Sequence, residues 1–205
     1  MIALDARIEI DPARASMLAP NPDLAVRPYP SGWTSSTTTG GIELTIRPIR
    51  PEDADLYPRF LERTEPEDMR LRFLVPMRTL SRQMLVRLTQ LDYDRDIAFV
   101  ALERHSGDLA GIVRYSAEPD GDVAEFAILV RSDLKGRGIG RALMNQLIDY
   151  ARSEGIGQLY GHVLRENDAM FGFCRSLGFS FSDVPDDAMM IRAELPLEPA
   201  APTRR

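Results

Sequence analysis

The segment KGRGIGR at residues 135–141 places a glycine at every second position. It follows an apolar run that predicts a strand over residues 123–131, and a helical pattern begins near Gly138. Alternating glycines let backbone N–H groups converge where a helix dipole is positive, which suits a phosphate or pyrophosphate group. A tight turn without a ligand is the simpler alternative, but the strand–turn–helix context favours phosphate binding.

Two well-known phosphate-binding turns do not fit this segment. A P-loop requires lysine and then serine or threonine after its last glycine, whereas Gly140 is followed by Arg141 and Ala142. A dinucleotide-binding turn requires its third glycine at position 141, which is arginine. The segment therefore predicts a phosphate site of another kind.

Glu125 interrupts the apolar residues 123–130 of the predicted strand. An ionised carboxylate is costly in such a place unless it is paired or used in chemistry. An ion pair with a nearby arginine and a role as proton acceptor both remain open from the residues alone.

A metal site is not predicted. The aspartates between Asp92 and Asp96, together with Glu103, have the spacing of a calcium loop. Its sixth position is Ile97 where glycine is required, and residues 97–102 are typical of a buried strand. Two histidines and one cysteine also make zinc a poor candidate.

The composition of the chain limits the classes of protein to which it can belong. The 205 residues suffice for one sizeable core, and a net charge of −6 argues against nucleic acid as the main partner. The single cysteine, Cys174, excludes an internal disulfide and a cysteine-rich metal site. The apolar runs are too short for a membrane span, and residues 1–7 lack a signal-peptide pattern. We therefore predict a cytoplasmic protein.

The chain divides into three parts. Residues 1–42 are rich in proline and in polar residues, which predicts a linker or tail, although residues 4–10 alternate like an isolated strand. Residues 43–195 carry the periodic apolar patterns of a folded domain. Residues 196–205 are polar and proline-containing, which predicts a disordered tail.

Within the folded part, strands alternate with helices. Pro58 falls inside the first helical pattern, so a kink or broken turn is expected there. This order predicts a mixed α/β sheet. The predicted strands cover residues 43–47, 97–103, 109–117, 123–131, 158–163 and 189–194. The predicted helices begin at Pro51, after Pro66 and after Ser81, and cover residues 139–150 and 167–177.

Residues 128–140 resemble the acetyl-coenzyme A signature of the GNAT superfamily of N-acetyltransferases. Lys135 stands where glutamine or arginine is usual, and Asn167 and the pair Gly178-Phe179 match the superfamily's second motif. The resemblance covers about residues 43–194. It implies an α/β fold with a mixed, mostly antiparallel sheet flanked by helices, and acetyl-CoA as co-substrate.

A further resemblance is to bacterial protein lysine acetyltransferases of the Pat type, in which an acyl-CoA synthetase-like region precedes the acetyltransferase domain. The residues that carry it lie at 27–33, 46–54, 71–73, 91–95 and 124–127, and residues 3–7 look like the last strand of the upstream region. The resemblance implies that residues 1–42 are the remnant of such a region, and that the chain is the C-terminal acetyltransferase portion of a larger protein or a stand-alone remnant of one.

The superfamily resemblance also assigns roles to residues. It implies that Glu125 is the general base and that a backbone N–H near Leu129 meets the oxyanion, with the pantetheine arm lying beside the strand. The cofactor-binding residues that it implies are Ile128, Leu129, Val130, Lys135, Gly136, Arg137, Gly138, Gly140, Arg141 and Asn167.

Cys174 departs from the family pattern, because many GNAT enzymes have a tyrosine there as general acid. A thiolate leaving group with a pKa of about 8.5 needs little protonation, so a small buried residue suffices. An acyl-cysteine intermediate remains a weaker alternative.

The predicted function is the transfer of acetyl from acetyl-CoA to a protein lysine, with acyl-CoA synthetases as the acceptors that the resemblance implies. Two alternatives remain: acetylation of a small amine such as a metabolite or drug, and a non-catalytic module that senses an acyl-CoA. The acidic residues Glu65, Glu67 and Asp68 would suit a lysine-bearing partner, although a solvated helix start is the simpler interpretation.

Overall fold

The computed structural model describes residues 27–75, 79–119, 121–185 and 187–198. The strands are β1 Ser35–Thr39, β2 Ile42–Pro48, β3 Asp96–Glu103, β4 Leu109–Ala117, β5 Val123–Val130, β6 Gln158–Leu164, β7 Ser180–Val184 and β8 Asp187–Pro196. The α-helices are α1 Tyr57–Glu62, α2 Pro66–Phe73, α3 Arg82–Thr89, α4 Ile139–Ser153 and α5 Asp168–Ser176, and 3₁₀ turns cover Ser31–Trp33, Pro51–Leu56 and Ser132–Leu134.

The strands form one sheet of eight in the order β1-β2-β3-β4-β5-β6-β8-β7. Neighbours pair antiparallel except β5 and β6, which are parallel. The predicted mixed, mostly antiparallel sheet with flanking helices is therefore confirmed. Among the described helices, none is long and apolar enough to cross a membrane.

The core has a layer on each face of the sheet. Helix α4 buries Leu143, Met144 and Leu147 against one face. On the other face, Ile49 and Phe60 pack with the helical segment between β2 and β3. Residues 97–101 of β3 are buried on both faces, which explains their uninterrupted apolar run.

Pro58 has the effect that the sequence predicts. The 3₁₀ turn Pro51–Leu56 gives way to helix α1 at Tyr57, so that Pro58 lies in the first turn of α1. Its missing N–H costs nothing there, because the first N–H groups of a helix have no intrahelical partner.

Strands β5 and β6 separate soon after they meet. Their pairing covers residues 123–125 and 158–160, and ends at Glu125 opposite Tyr160. The next residues are Phe126, whose ring is buried, and Gly161. A Cβ at position 161 would lie 2.7 Å from a ring carbon of Phe126. The ring therefore occupies the space of a side chain at 161, and beyond this point a cleft opens between the strands.

Three sequence predictions need correction. Residues 35–39, which we assigned to the linker, form β1 and pair with β2 through a Gly40-Gly41 turn in which both glycines have positive φ. Strand β7 was missed because it is short and mostly exposed. Leu197, which we assigned to the tail, is buried and donates its N–H to the Gly157 carbonyl over 2.7 Å. Residues 1–26, including the strand predicted at 4–10, and residues 199–205 lie outside the described part.

The contact between Phe126 and Gly161 predicts a position-specific stability loss. We expect Gly161→Ala to lower the free energy of unfolding by about 1–3 kcal/mol, because the added methyl overpacks a buried ring. Gly172→Ala in α5 is the matched control, since nothing lies within 4 Å of its added Cβ. It should be neutral or stabilising by up to about 1 kcal/mol. Urea unfolding midpoints measure both, and equal effects would contradict the prediction.

Candidate active site

The cleft between β5 and β6 widens into a cavity of about 430 Å³, bordered by α2, the glycine-rich turn and α5. The structure places nine of the ten predicted cofactor residues on its wall: Ile128, Leu129, Val130, Lys135, Gly136, Gly138, Gly140, Arg141 and Asn167. Residues separated by almost forty positions in sequence thus surround one space.

The glycine-rich turn presents backbone N–H groups to this cavity. Gly136 and Gly138 have φ values of 72° and 84°, a region that glycine adopts without strain. No side chain caps α4, so the N–H groups of its first turn are left for a ligand. The β1–β2 hairpin covers the turn from outside, where Thr39 Oγ1 donates to the Arg137 carbonyl over 2.8 Å.

Lys135 is held beside the cavity by an acidic partner. Its half-exposed ammonium forms an ion pair with Asp68, which is buried and also accepts a hydrogen bond from Ser132 Oγ. Asp68 is therefore neither a solvated helix start nor an acidic lip, the two interpretations that its sequence position allowed. It positions the cation at the entrance to the glycine turn.

Three of the predicted cofactor residues, Arg137, Arg141 and Asn167, have side chains that form hydrogen bonds within the protein. Arg137 does not line the cavity, because its guanidinium turns to the Gly40 carbonyl at 3.5 Å. Arg141 lines it but donates to Ser176 Oγ over 2.7 Å at the end of α5. Asn167 caps α5, where its side-chain oxygen accepts from the Met170 N–H over 3.1 Å. For Arg141 and Asn167, the structure therefore shows a role in holding α5 at the cavity.

Glu125 is more exposed than the sequence implied. Its side chain is 48% exposed, and it projects from the face of β5 opposite that of the buried Ala124 and Phe126. The burial argument for Glu125 was therefore wrong: the strand looks continuously apolar because helices cover its second face only beyond this residue. Among the described residues, no arginine pairs with Glu125, and burial does not hold it either.

The partner of Glu125 is a histidine that the sequence analysis did not connect with it. His162 Nδ1 lies 3.1 Å from Glu125 Oε1, across the boundary between β5 and β6. His162 lines the cavity, whereas Glu125 is not part of its wall. The 37 residues between them carry no local signal for this contact.

Arg72 is a second residue that the sequence analysis missed. It projects from α2 into the wall of the cavity and also borders a smaller apolar pocket beside Tyr57 and Arg114. Burial lowers the pKa of Arg72 to about 10, and the nearby Arg114 charge acts in the same direction, while Glu125 opposes both. Arg72 therefore remains charged at neutral pH. It lies between the β5–β6 cavity and the smaller pocket.

Cys174 is unsuited to covalent catalysis. Its side chain is fully buried in the main core, and this burial raises the pKa of the thiol to about 12. A thiol in that state has almost no thiolate, which is the nucleophilic form. Within the described residues, no group of three or more metal-ligating side chains is arranged to hold an ion.

Comparison with known proteins identifies the protein family to which this chain belongs. The profile of the acetyltransferase (GNAT) family matches residues 60–179, more than half of the chain. The chain therefore belongs to the GNAT family and is an acetyl-CoA-dependent N-acyltransferase, as the sequence resemblance implied.

Two individual relatives and one solved structure are similar to this chain over most of its length. Acetyltransferase PA5475 of Pseudomonas aeruginosa is 35% identical over 80% of this chain and 89% of that protein. Acetyltransferase Pat of Mycolicibacterium smegmatis is 29% identical over 78% of this chain, but the match spans 44% of Pat. The crystal structure of the GNAT domain of S. lividans PAT superposes with a TM-score of 0.77 at 27% identity, covering 83% of this chain and all of that domain.

The placement of Lys135 predicts its effect on donor binding. We expect Lys135→Ala to weaken acetyl-CoA binding about tenfold, because a charge-assisted hydrogen bond to phosphate contributes about 1.5 kcal/mol or more. Arg152→Ala is the matched control, since it removes one exposed cation at the opposite end of α4. Calorimetric titration measures both dissociation constants. Equal affinity of the two variants would contradict a phosphate role for Lys135.

The burial of Cys174 predicts an inert thiol. At pH 8, iodoacetamide should alkylate the folded protein at least about 10³-fold more slowly than the protein unfolded in urea, because burial suppresses the thiolate. Mass spectrometry follows the reaction at the only cysteine of the chain. Comparable rates in the two states would restore the acyl-cysteine alternative.

Proposed function

We propose that this protein transfers acetyl from acetyl-CoA to the side-chain amine of a lysine in a target protein by direct attack. The observation that carries the proposal is the β5–β6 cleft, which connects an uncapped helix N-terminus to an exposed carboxylate, Glu125. The relatives named Pat and PAT support a protein acceptor, and acyl-CoA synthetases are the acceptors we propose.

The donor would lie along the cleft. Its pyrophosphate would meet the N–H groups of the glycine-rich turn, with Lys135 beside it. Beyond Glu125, the edge of β5 that faces β6 pairs with no strand in the part of the chain that the structure describes. The amide-containing pantetheine arm can therefore add to that edge as a strand would. A backbone N–H near Leu129 would then receive the oxyanion, as in other acyl-transfer sites.

The acceptor must lose a proton before it can attack. A lysine amine with a pKa of about 10.4 is only about one part in a thousand neutral near pH 7.4, a handicap of roughly 4 kcal/mol. We propose that the Glu125 carboxylate supplies the general base, directly or through an intervening group. Because Glu125 is half-exposed on the outer face, a side chain that projects from another protein can reach it without burial of that protein's backbone.

The alternatives have weaker support. A small-amine acceptor is suggested by streptothricin acetyltransferase of Streptomyces lavendulae, which is 40% identical over only 37% of this chain. A non-catalytic sensor loses its basis because the chain belongs to a family of acetyltransferases. We retain two proposals: that the residues preceding β1 derive from an upstream synthetase-like region, and that such a region has a regulatory role.

Glu125→Gln tests the proposal. We expect it to lower the rate of acetyl transfer to a purified acyl-CoA synthetase by about 10²-fold or more, with acetyl-CoA affinity unchanged, because proton removal from the amine depends on the carboxylate. Glu43→Gln, an exposed glutamate on β2 of the same sheet, is the control and should keep the native rate. Coenzyme A release and mass spectrometry of the acceptor report the reaction.

The acceptor is tested with the native protein. Transfer to free lysine and small amines at rates equal to those on the synthetase would favour the small-amine alternative. A Glu125→Gln rate within about threefold of the native rate would contradict the base assignment.

A further inference from the structure

Glu125 and His162 form a pair at the point where β5 and β6 separate. Glu125 is the last residue of β5 that pairs with β6, and His162 lies two residues beyond the corresponding position on β6. The 3.1 Å contact joins Oε1 of the glutamate to Nδ1 of the imidazole. Because the imidazole lines the cavity and the carboxylate does not, His162 stands between Glu125 and the space for the thioester.

We propose that His162 is the catalytic base of the acetyl transfer and that Glu125 is its positioning residue. This inference rests on the proposed function and assigns the proton-accepting atom of the same site. With Nδ1–H donated to the Glu125 carboxylate, the imidazole is fixed in one tautomer and its Nε2 lone pair is left to face the acceptor amine. A carboxylate beside the ring also stabilises the imidazolium that forms.

The surroundings of His162 leave Glu125 as its ionic partner. On β8, Arg192 is its opposite residue, but that guanidinium stacks on Tyr160 at 3.6 Å and donates to Glu194 over 2.8 Å. Tyr160 meets the imidazole edge-on at 5.6 Å between ring centres. Four charged residues share the cavity wall with His162: Arg72, Asp68, Lys135 and Arg141. Asp68 and Lys135 form an ion pair with each other.

The step balances without another reactant. The lysine ammonium first loses one proton to solvent. As the resulting neutral amine nitrogen bonds to the thioester carbonyl carbon, Nε2 of His162 takes a second proton from that nitrogen. The tetrahedral intermediate then collapses and the C–S bond breaks, with its electron pair leaving on the sulfur. The imidazolium returns the proton to the coenzyme A thiolate. The amide and the free thiol are the products, and the pair returns to its starting state.

Replacement of the imidazole tests this assignment. We expect His162→Ala and His162→Asn each to lower the transfer rate by about 10²-fold, because neither side chain accepts a proton near neutral pH. His105→Ala, in the exposed turn between β3 and β4, is the control and should keep the native rate. Added imidazole should restore part of the activity of His162→Ala, but none of that of Glu125→Gln. Circular dichroism and acetyl-CoA titration confirm that each variant folds and binds the donor.

A double-variant cycle separates a dyad from two independent groups. Residues that act as one unit give non-additive losses, so His162→Ala combined with Glu125→Gln should be no slower than the slower single variant.

These experiments distinguish failure of the His162 inference from failure of the proposed function. If both His162 variants stay within about threefold of the native rate, or if the two losses multiply, Glu125 acts without His162 and the inference is overturned. The proposed function would survive either result, because native transfer to a protein lysine is measured separately. Absence of native transfer to the synthetase would instead overturn the proposed function.

Discussion

The separation of β5 from β6 is the constraint on which the rest of the site depends. Parallel pairing ends after three residues on each strand, and the described sheet is otherwise continuous. A strand edge with unpaired N–H and C=O groups is costly when it is buried without a partner. The fold accommodates this by opening the edge onto a cavity, and the Phe126 ring packs on Gly161 at the point of separation. A ligand with amide groups can form hydrogen bonds with such an edge in the manner of an added strand.

The phosphate end of the site is built mainly from backbone, and side chains position that backbone. Helix α4 is anchored by its apolar face, with Leu143, Met144 and Leu147 fully buried, so its uncapped first turn has a fixed direction. The β1–β2 hairpin lies over the turn so closely that a Cβ at position 138 would be 2.4 Å from Thr39 Oγ1. Charged residues near the turn are themselves restrained: Asp68 holds Lys135, and the end of α5 holds Arg141.

Local patterns in the sequence predicted most of the fold, and nine of the ten residues that the family resemblance assigns to donor binding line the cavity. Buried strands, proline-started helices and the glycine spacing each leave a signal within about ten residues. Strand β1 was missed because the proline and glycine content of residues 1–42 outweighed the strand preference of its threonines, which β2 satisfies by pairing. The contacts of Asp68 with Lys135 and of Glu125 with His162 span 67 and 37 residues. Sequence periodicity carries no information about contacts between residues so far apart. These contacts are therefore visible only in the folded structure.

The two halves of the site therefore differ in how strongly they constrain the sequence. A phosphate site made of backbone N–H groups needs residues that allow positive φ at fixed places, and substitution of such a glycine introduces strain or a clash. The proposed acceptor side instead consists of polar side chains on different elements, Glu125 on β5, His162 on β6 and Arg72 on α2, none of which needs a special backbone. Many residue types can occupy such positions without loss of the fold. A phosphate-binding turn can for this reason be predicted from glycine spacing, whereas the proposed acceptor side depends on how the surrounding elements bring these side chains together.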